Sequence, residues 1–240
     1  MQFYFIRHGQ SENNALWNQT SSSIGRSEDA ELTEVGARQA RVLAQFLHDA
    51  GSGVITKDWD GQNIAGFGIT HLCTSLMVRA VATSMIIADT LGLRPVAWED
   101  LHESGGINLE DPQTGERIGQ PGKNRAYFEV HYPHLVLPAT LGEEGWWNRP
   151  FEEREQRPIR AQRVLRELLE RHGSAEDRVA VVSHGGFYNY LLAAILKMPD
   201  HEGCWFALNN AAITRIDFHV EGVEVIYMNR LEFMPRELVT

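Results

Sequence analysis

Two histidines in this chain sit in the same local context. Arg7-His8-Gly9 follows the apolar run Phe3-Tyr4-Phe5-Ile6, and Ser183-His184-Gly185-Gly186 follows Val179-Ala180-Val181-Val182. Each reads as a buried strand, a histidine at its carboxyl end, and a glycine where the backbone turns. In open α/β sheets ligands gather at the carboxyl ends of the strands, so two such ends imply one shared site. A histidine at a strand end is, taken alone, more often structural. Here Arg7 adjoins His8, and Arg79 follows a third apolar segment near another strand-to-helix turn. Guanidinium groups are planar and bidentate, suited to phosphate oxygens. Gly9 and Gly185 would let backbone N–H groups and helix N-termini approach the same anion.

The elements that must position these groups follow from periodicity. The run 2–7 lacks alternation and reads as a strand buried on both faces, as in a parallel sheet. A helix is expected over 34–50, with Thr33 as N-cap, Ala40, Leu43, Ala44 and Leu47 on its apolar face, and Gly51 past its end. A strand at 69–74 leads to a helix at 78–91 closed by Gly92, and a short strand covers 94–98. Ala161, Val164, Leu165, Leu168 and Leu169 mark a helical face stopped by Gly173. The strand 179–183 precedes a helix at 188–197. Residues 214–220 alternate and pair with 223–228 as an antiparallel hairpin. The segment past Arg230 reads as peripheral.

Between Gly105 and Phe151 the texture changes. Five of nine prolines and seven glycines fall there, with adjacent Trp146-Trp147 and no persistent period. Such aromatic content argues for a packed segment. The fold expected is a three-layer α/β/α sandwich with a mostly parallel mixed sheet. It forms one domain over 1–240, with an inserted cap at 105–155 over the active site. Trp146, Trp147 and Tyr127 would fill a small satellite core or wall the pocket, and Lys123, Arg125 and Arg149 are candidates to meet a second anionic group.

Composition narrows the function. A net charge of −10 over 240 residues argues against a nucleic-acid surface. It leaves room for a small phosphorylated ligand, because local charge can oppose global charge. Leu191–Leu196 is far short of the roughly 20 apolar residues of a membrane span, and the N-terminal apolar run is too short for a secretory leader. A cytoplasmic, non-membrane protein is expected. Cys73 and Cys204 abut apolar residues and read as buried free thiols. His131 and His134 invite a metal reading, but no third ligand stands at suitable spacing; no metal and no cofactor are expected. Arg38 and Arg41 fall on a solvent face.

Five blocks in order resemble the histidine phosphatase superfamily, which includes the cofactor-dependent phosphoglycerate mutases. Arg7-His8-Gly9-Gln10-Ser11-Glu12-Asn13-Asn14 is similar to its R-H-G-x-[ST]-x-x-N signature, and Leu32 through Ala40 to L-T-x-x-G-x-x-Q-A. Ser75 through Thr83 is similar to S-x-x-x-R-A-x-x-T. Leu101-His102-Glu103 resembles the segment bearing the family's acid, and Ser183-His184-Gly185-Gly186 its second histidine. The resemblance covers roughly residues 2–104 and 156–218.

It implies that His8 is the nucleophile and forms a phosphohistidine. Arg7, Arg79 and His184 would hold the phosphoryl oxygens, with Asn14, Ser11 and Gly185 assisting. Glu103 would protonate the leaving oxygen and then activate water. Ser11 has the further reading of a cap for the next helix. The implied activity is metal-independent hydrolysis of a small phosphorylated metabolite. A phosphoglycerate-type mutase is the alternative, although Ser104-Gly105-Gly106 departs from the basic and aromatic stretch that follows the acid in mutases. A non-catalytic scaffold for phosphorylated ligands is the alternative of another class. The hairpin edge would allow a homodimer.

Overall fold

The structure, a computed structural model, describes residues 1–49, 59–174, 176–198 and 203–240. In chain order the elements are β1 (Gln2–Arg7), α1 (Glu12–Thr20), α2 (Glu34–Asp49), β2 (His71–Thr74), α3 (Val78–Leu91), β3 (Val96–Ala97), β4 (Asn108–Glu110), β5 (Arg117–Gly119), α4 (Arg125–His131), α5 (Gln156–His172), β6 (Arg178–Ser183), α6 (Gly185–Ile195), β7 (Ile213–His219) and β8 (Gly222–Arg230). The main sheet runs β3-β2-β6-β1-β7-β8. β1, β6, β2 and β3 are mutually parallel, whereas β7 and β8 return antiparallel.

The non-alternating strands are central because both of their faces are covered. Phe3, Phe5, Val179 and Val181 pack toward α5 and α6, and Tyr4, Ile6, Ala180 and Val182 toward α2 and α3. This is the three-layer architecture expected from the sequence. Burying a side chain of this size contributes about 1.5–3 kcal/mol. Register aligns Arg7 with Ser183, so His8 and His184 emerge side by side just past two paired strands.

The Thr33 hydroxyl accepts from Gly36 N at 3.0 Å and caps α2 as expected. Ala50 and Gly51, at its expected end, lie outside the described residues. α3 ends on Gly92 with φ +68. α5 stops at Gly173 in ordinary right-handed geometry, so that glycine supplies no left-handed turn. β2 and β3 are shorter than their expected spans.

Other differences have identifiable causes. The segment 105–155 holds regular structure after all: the antiparallel β4–β5 pair and α4, whose N-cap Asn124 accepts from Tyr127 N at 3.0 Å. These elements are too short to show a period. Trp146, Trp147 and Phe128 form a core with Leu76, Met77 and Ile107. α6 begins at Gly185, three residues before its expected start, because its cap comes from Glu103, distant in the chain.

The C-terminal tail is not peripheral: Met234 and Leu238 are buried. Gln39, fully buried, donates to Leu238 O at 2.6 Å and Thr240 Oγ1 at 2.8 Å. The tail supplies acceptors that a buried amide requires. Cys73 is buried, with burial pushing its thiol up to about 11, but Cys204 is exposed and so departs from expectation. Among the described residues no helix is long and apolar enough to cross a membrane.

Candidate active site

β1 and β6 deliver the two histidines with ring centroids 5.0 Å apart. Both are buried. His8 Nδ1 lies 2.6 Å from Gly9 O, an acceptor, so Nδ1 carries the proton. Nε2 therefore presents its lone pair, and Arg79 Nε donates to it at 3.1 Å. Burial, Arg79 and Arg7, in that order, push the His8 pKa well below its usual value. The ring is held neutral with Nε2 facing the pocket.

His184 is fixed the other way round. Met77 N donates to Ser75 Oγ at 3.2 Å, which turns the Ser75 proton toward His184 Nε2 at 2.9 Å. The His184 proton then resides on Nδ1, which is buried and lacks a partner among the described residues. Burial, followed by Arg79 and His8, also holds this ring neutral. A buried N–H with no acceptor calls for an explanation, and a bound anion supplies one.

The arginines have the same character. Arg7 Nη1 donates to Leu208 O at 2.5 Å, while its Nε is buried and unpartnered. Arg79 is spent on weak partners besides His8: Met77 Sδ at 3.1 Å and Asp29 Oδ1 at 3.9 Å. Burial raises the Asp29 pKa to about 6, against the opposing pull of Arg79. Burial lowers the pKa of both arginines from the ordinary guanidinium value.

Glu103 faces this group across the start of α6. Its Oε1 accepts from Ser104 N at 2.7 Å and Phe187 N at 2.9 Å, and its Oε2 from Gly186 N at 3.0 Å. The first N–H groups of α6 thus hold a carboxylate of the chain itself, in the manner of an anion at a helix N-terminus. Gly186 makes room for it: a Cβ there would stand 2.3 Å from Oε1.

The remaining expected residues divide. Ser11 is buried and is the N-cap of α1, its hydroxyl accepting from Asn14 N at 3.3 Å. Asn14 Oδ1 accepts from Ser11 N at 3.1 Å and from Asn210 Nδ2 at 3.2 Å, which aims the other end of the amide away from these donors. Gly185 opens α6 beside Arg7, with ordinary clearance from Arg7 Nε. Gly9 N is taken by Thr83 Oγ1 at 3.0 Å and does not point to an open site. The need for glycine at Gly9 is close backbone approach, since a Cβ would sit 2.4 Å from Gly36 O.

In the inserted segment, Arg125 binds Leu141 O and Pro138 O, and Arg149 stacks on Trp147 at 4.0 Å. Lys123 lies over Tyr127. His131 stacks on Tyr127 and bonds its carbonyl, and neither His131 nor His134 belongs to a three-ligand cluster among the described residues.

Two groups escaped the sequence. Glu152 and Arg160 pair bidentately at 2.5 and 2.8 Å while buried. Arg160 also donates to Asp100 O at 2.7 Å and His102 O at 3.0 Å, and Glu152 accepts from Gly105 N at 3.2 Å. The pair clamps the loop that presents Glu103 from both sides. Arg26 is half-buried with Nε unpartnered, and its charge acts on Arg79. No local motif marks these residues, because the loop that the pair holds, from Asp100 to Gly105, lies tens of residues away.

Parallel strands ending at a buried histidine pair, with the guanidiniums of Arg79 and Arg7 and the Glu103 carboxylate, form an anion-binding type of centre. The chain belongs to the histidine phosphatase superfamily (branch 1), whose pattern it matches over residues 3–57 and 58–230. It is 28% identical over 218 residues to the probable phosphoglycerate mutase GpmB of Yersinia enterocolitica, covering 91% of this chain and 85% of that one. Its fold is similar to that of a mycobacterial glucosyl-3-phosphoglycerate phosphatase, with TM-score 0.60 and 21% identity over 95% of this chain and 98% of that one. It is also similar to a phosphoserine phosphatase of Entamoeba histolytica, with TM-score 0.61 and 19% identity over 98% and 99%.

Proposed function

We propose that the protein is a metal-independent phosphomonoester hydrolase that works through a phosphohistidine on His8. The observation that carries this reading is the pairing of His8 and His184, rings 5.0 Å apart, with two buried N–H groups that lack an acceptor among the described residues, His184 Nδ1 and Arg7 Nε, and with only Arg79 Nε–H on the His8 Nε2 lone pair. A phosphoryl group is the ligand they fit, because it offers acceptor oxygens to the N–H donors and a phosphorus atom to the lone pair.

A phosphoryl oxygen competing for Arg79 Nε–H frees the Nε2 lone pair. Nε2 then attacks phosphorus in line, and the ester P–O bond breaks as Glu103, having taken up the proton of a monoanionic phosphoester, delivers it to the leaving oxygen. Water next attacks the phosphohistidine, Glu103 takes its proton, and inorganic phosphate and neutral His8 are restored. Arg7, Arg79 and His184 stabilise charge on the equatorial oxygens in both halves. Dividing the reaction lets one carboxyl serve as acid and then as base. Arg26, with Arg117 acting on it, places further positive charge beside Glu103, which supports a small substrate whose leaving group is itself anionic. We infer that the segment 105–155 walls the pocket over that group.

Return of the phosphoryl group to the substrate is the second reading, favoured by the mutase name of the Yersinia relative. A panel of phosphorylated metabolites, assayed for phosphate release with and without a bisphosphorylated primer, separates the two. Hydrolysis without primer supports the phosphatase; isomerisation only with primer supports the mutase. His8→Ala is expected to abolish turnover while the protein stays folded, and undiminished turnover in that variant refutes the nucleophile assignment.

A further inference from the structure

A second cluster of ligating side chains lies at the other end of the sheet. His71 opens β2, His172 closes α5, and Asp177 immediately precedes β6. Parallel strands and a returning helix therefore bring three separate segments to the amino edge. With the whole of β6 between Asp177 and His184, the cluster stands roughly 20 Å from the histidine pair. His172 Nδ1 is 2.7 Å from Asp177 Oδ2, and His71 Nδ1 is 3.8 Å from the same oxygen. The two imidazole centroids are 4.7 Å apart with their planes at 57°. One ligating atom from each residue lies within 4.8 Å of the others.

One carboxylate oxygen thus faces two ring nitrogens, although one donor would satisfy it. Two imidazoles and a carboxylate form a borderline nitrogen and oxygen set that suits Zn²⁺, Co²⁺ or Ni²⁺, whereas Mg²⁺ and Ca²⁺ prefer oxygen alone. Three protein ligands leave a fourth position for water. Thr70 Oγ1 lies 2.9 Å from His71 Nδ1 in the metal-free protein, a contact that ligation through Nδ1 would replace. Arg178 follows Asp177 in the chain, but its Nη1 is engaged by Phe67 O at 3.0 Å. The expectation of no metal concerned near neighbours in sequence; these three residues meet only in the fold.

We propose that His71, His172 and Asp177 bind one divalent transition-metal ion of the zinc class. The ion pins the α5–β6 connection to the start of β2 and takes no part in phosphoryl transfer. Binding exchanges the His172–Asp177 hydrogen bond for metal–ligand bonds, the imidazole proton moving to the other ring nitrogen.

The test titrates metal-stripped full-length protein with Co²⁺, reading d–d absorption and the thermal midpoint. Wild type should take up one equivalent, with the midpoint rising roughly 5–10 °C at a hundredfold excess over Kd. His71→Ala and His172→Ala should each weaken binding at least about tenfold while leaving phosphate release unchanged. Should His172→Ala fail to fold, His71→Ala, whose side chain is half exposed, carries the comparison. Absence of stoichiometric uptake at micromolar Co²⁺, or equal uptake by wild type and His71→Ala, overturns the proposal.

Discussion

Gly186→Ala separates the chemistry of Glu103 from the integrity of the fold. An added Cβ would lie 2.3 Å from Oε1, 2.9 Å from Cδ and 3.2 Å from Oε2 of Glu103. Restoring ordinary contact near 3.4 Å moves the carboxylate by about 1 Å (3.4 minus 2.3). The clash is with the far end of a side chain, so the backbone need not move. Gly186 lies within α6, where alanine is favoured over glycine by up to about 1 kcal/mol. Stability should therefore change little, the propensity gain offsetting the weakened cap from Glu103. Activity should fall.

A shift of this size withdraws the carboxyl from its donors Gly186 N and Phe187 N, and misplacement by about 1 Å costs on the order of 10²-fold. That is about 2.7 kcal/mol of transition-state stabilisation, within the range of a general acid. The discriminating assay compares kcat/KM for an alkyl phosphate with that for an aryl phosphate whose phenolate leaves without a proton. Because kcat/KM reports the first irreversible step, the alkyl ester should lose about 10²-fold and the aryl ester little. The aryl substrate should also show a burst of phenolate before slow turnover, as dephosphorylation still needs the base. Equal losses on both esters, or no loss on the alkyl ester, would refute the assignment of Glu103.

Three further outcomes follow from burial and charge. Arg160→Met strands the buried Glu152 carboxylate and should cost about 3–5 kcal/mol in urea unfolding; adding Glu152→Leu should recover part of it, since an apolar pair carries no orphaned charge. His8, His102 and His184 are held neutral, chiefly by burial, with folded pKa values well below 6.5. Their contribution is present above about pH 6.5 and is lost as pH falls toward the folded values, because the unfolded chain then binds more protons. Unfolding free energy should drop by up to about 4 kcal/mol per pH unit there (three groups at about 1.4 each), and the acid limb of kcat/KM due to His8 should lie below pH 6.5. Asp29 has the opposite sign: its folded pKa of about 6 exceeds the unfolded value, so its contribution is lost as pH rises through 6. Asp29→Asn should be more stable than wild type at pH 7.5, by up to about 3 kcal/mol, and show no such gain at pH 4; equal differences at the two pH values would contradict this.

What the sequence made legible was whatever is written locally. β1 and β6 show themselves because strands covered on both faces carry continuous apolar runs, and each is followed at once by a histidine of the candidate site. α2, α3 and α5 show a helical stripe long enough to read. α4, β4 and β5 are three to seven residues long, so no period can emerge. The start of α6 at Gly185-Gly186 runs against propensity and is set by a carboxylate 83 residues away. The hold of Arg160 and Glu152 on Asp100 O, His102 O and Gly105 N, and the use of Leu238 O and Thr240 by Gln39, are likewise long-range pairings of ordinary polar residues. Ser11 carried two readings from its sequence, phosphate contact and helix cap, and local hydrogen bonding shows the cap.

The electrostatic design also explains how a chain of net charge −10 can favour an anion. Arg79 is buried and Arg7 half-buried, yet among the described residues neither has a close carboxylate: Arg79 Nη1 stands 3.9 Å from Asp29, and Arg7 leans on a backbone carbonyl. Pairing them tightly with acids would stabilise the resting protein and remove their reason for binding substrate. Holding His184 neutral beside His8 adds no further positive charge next to the proposed nucleophile. The energy withheld from internal salt bridges is thereby available to a dianion, and it is largest where phosphorus is being transferred. Glu103 would defeat this arrangement if its charge faced the arginines uncompensated. Two backbone N–H groups at the start of α6, with that of Ser104, absorb that charge, which on the proposed reading leaves the arginines to the substrate.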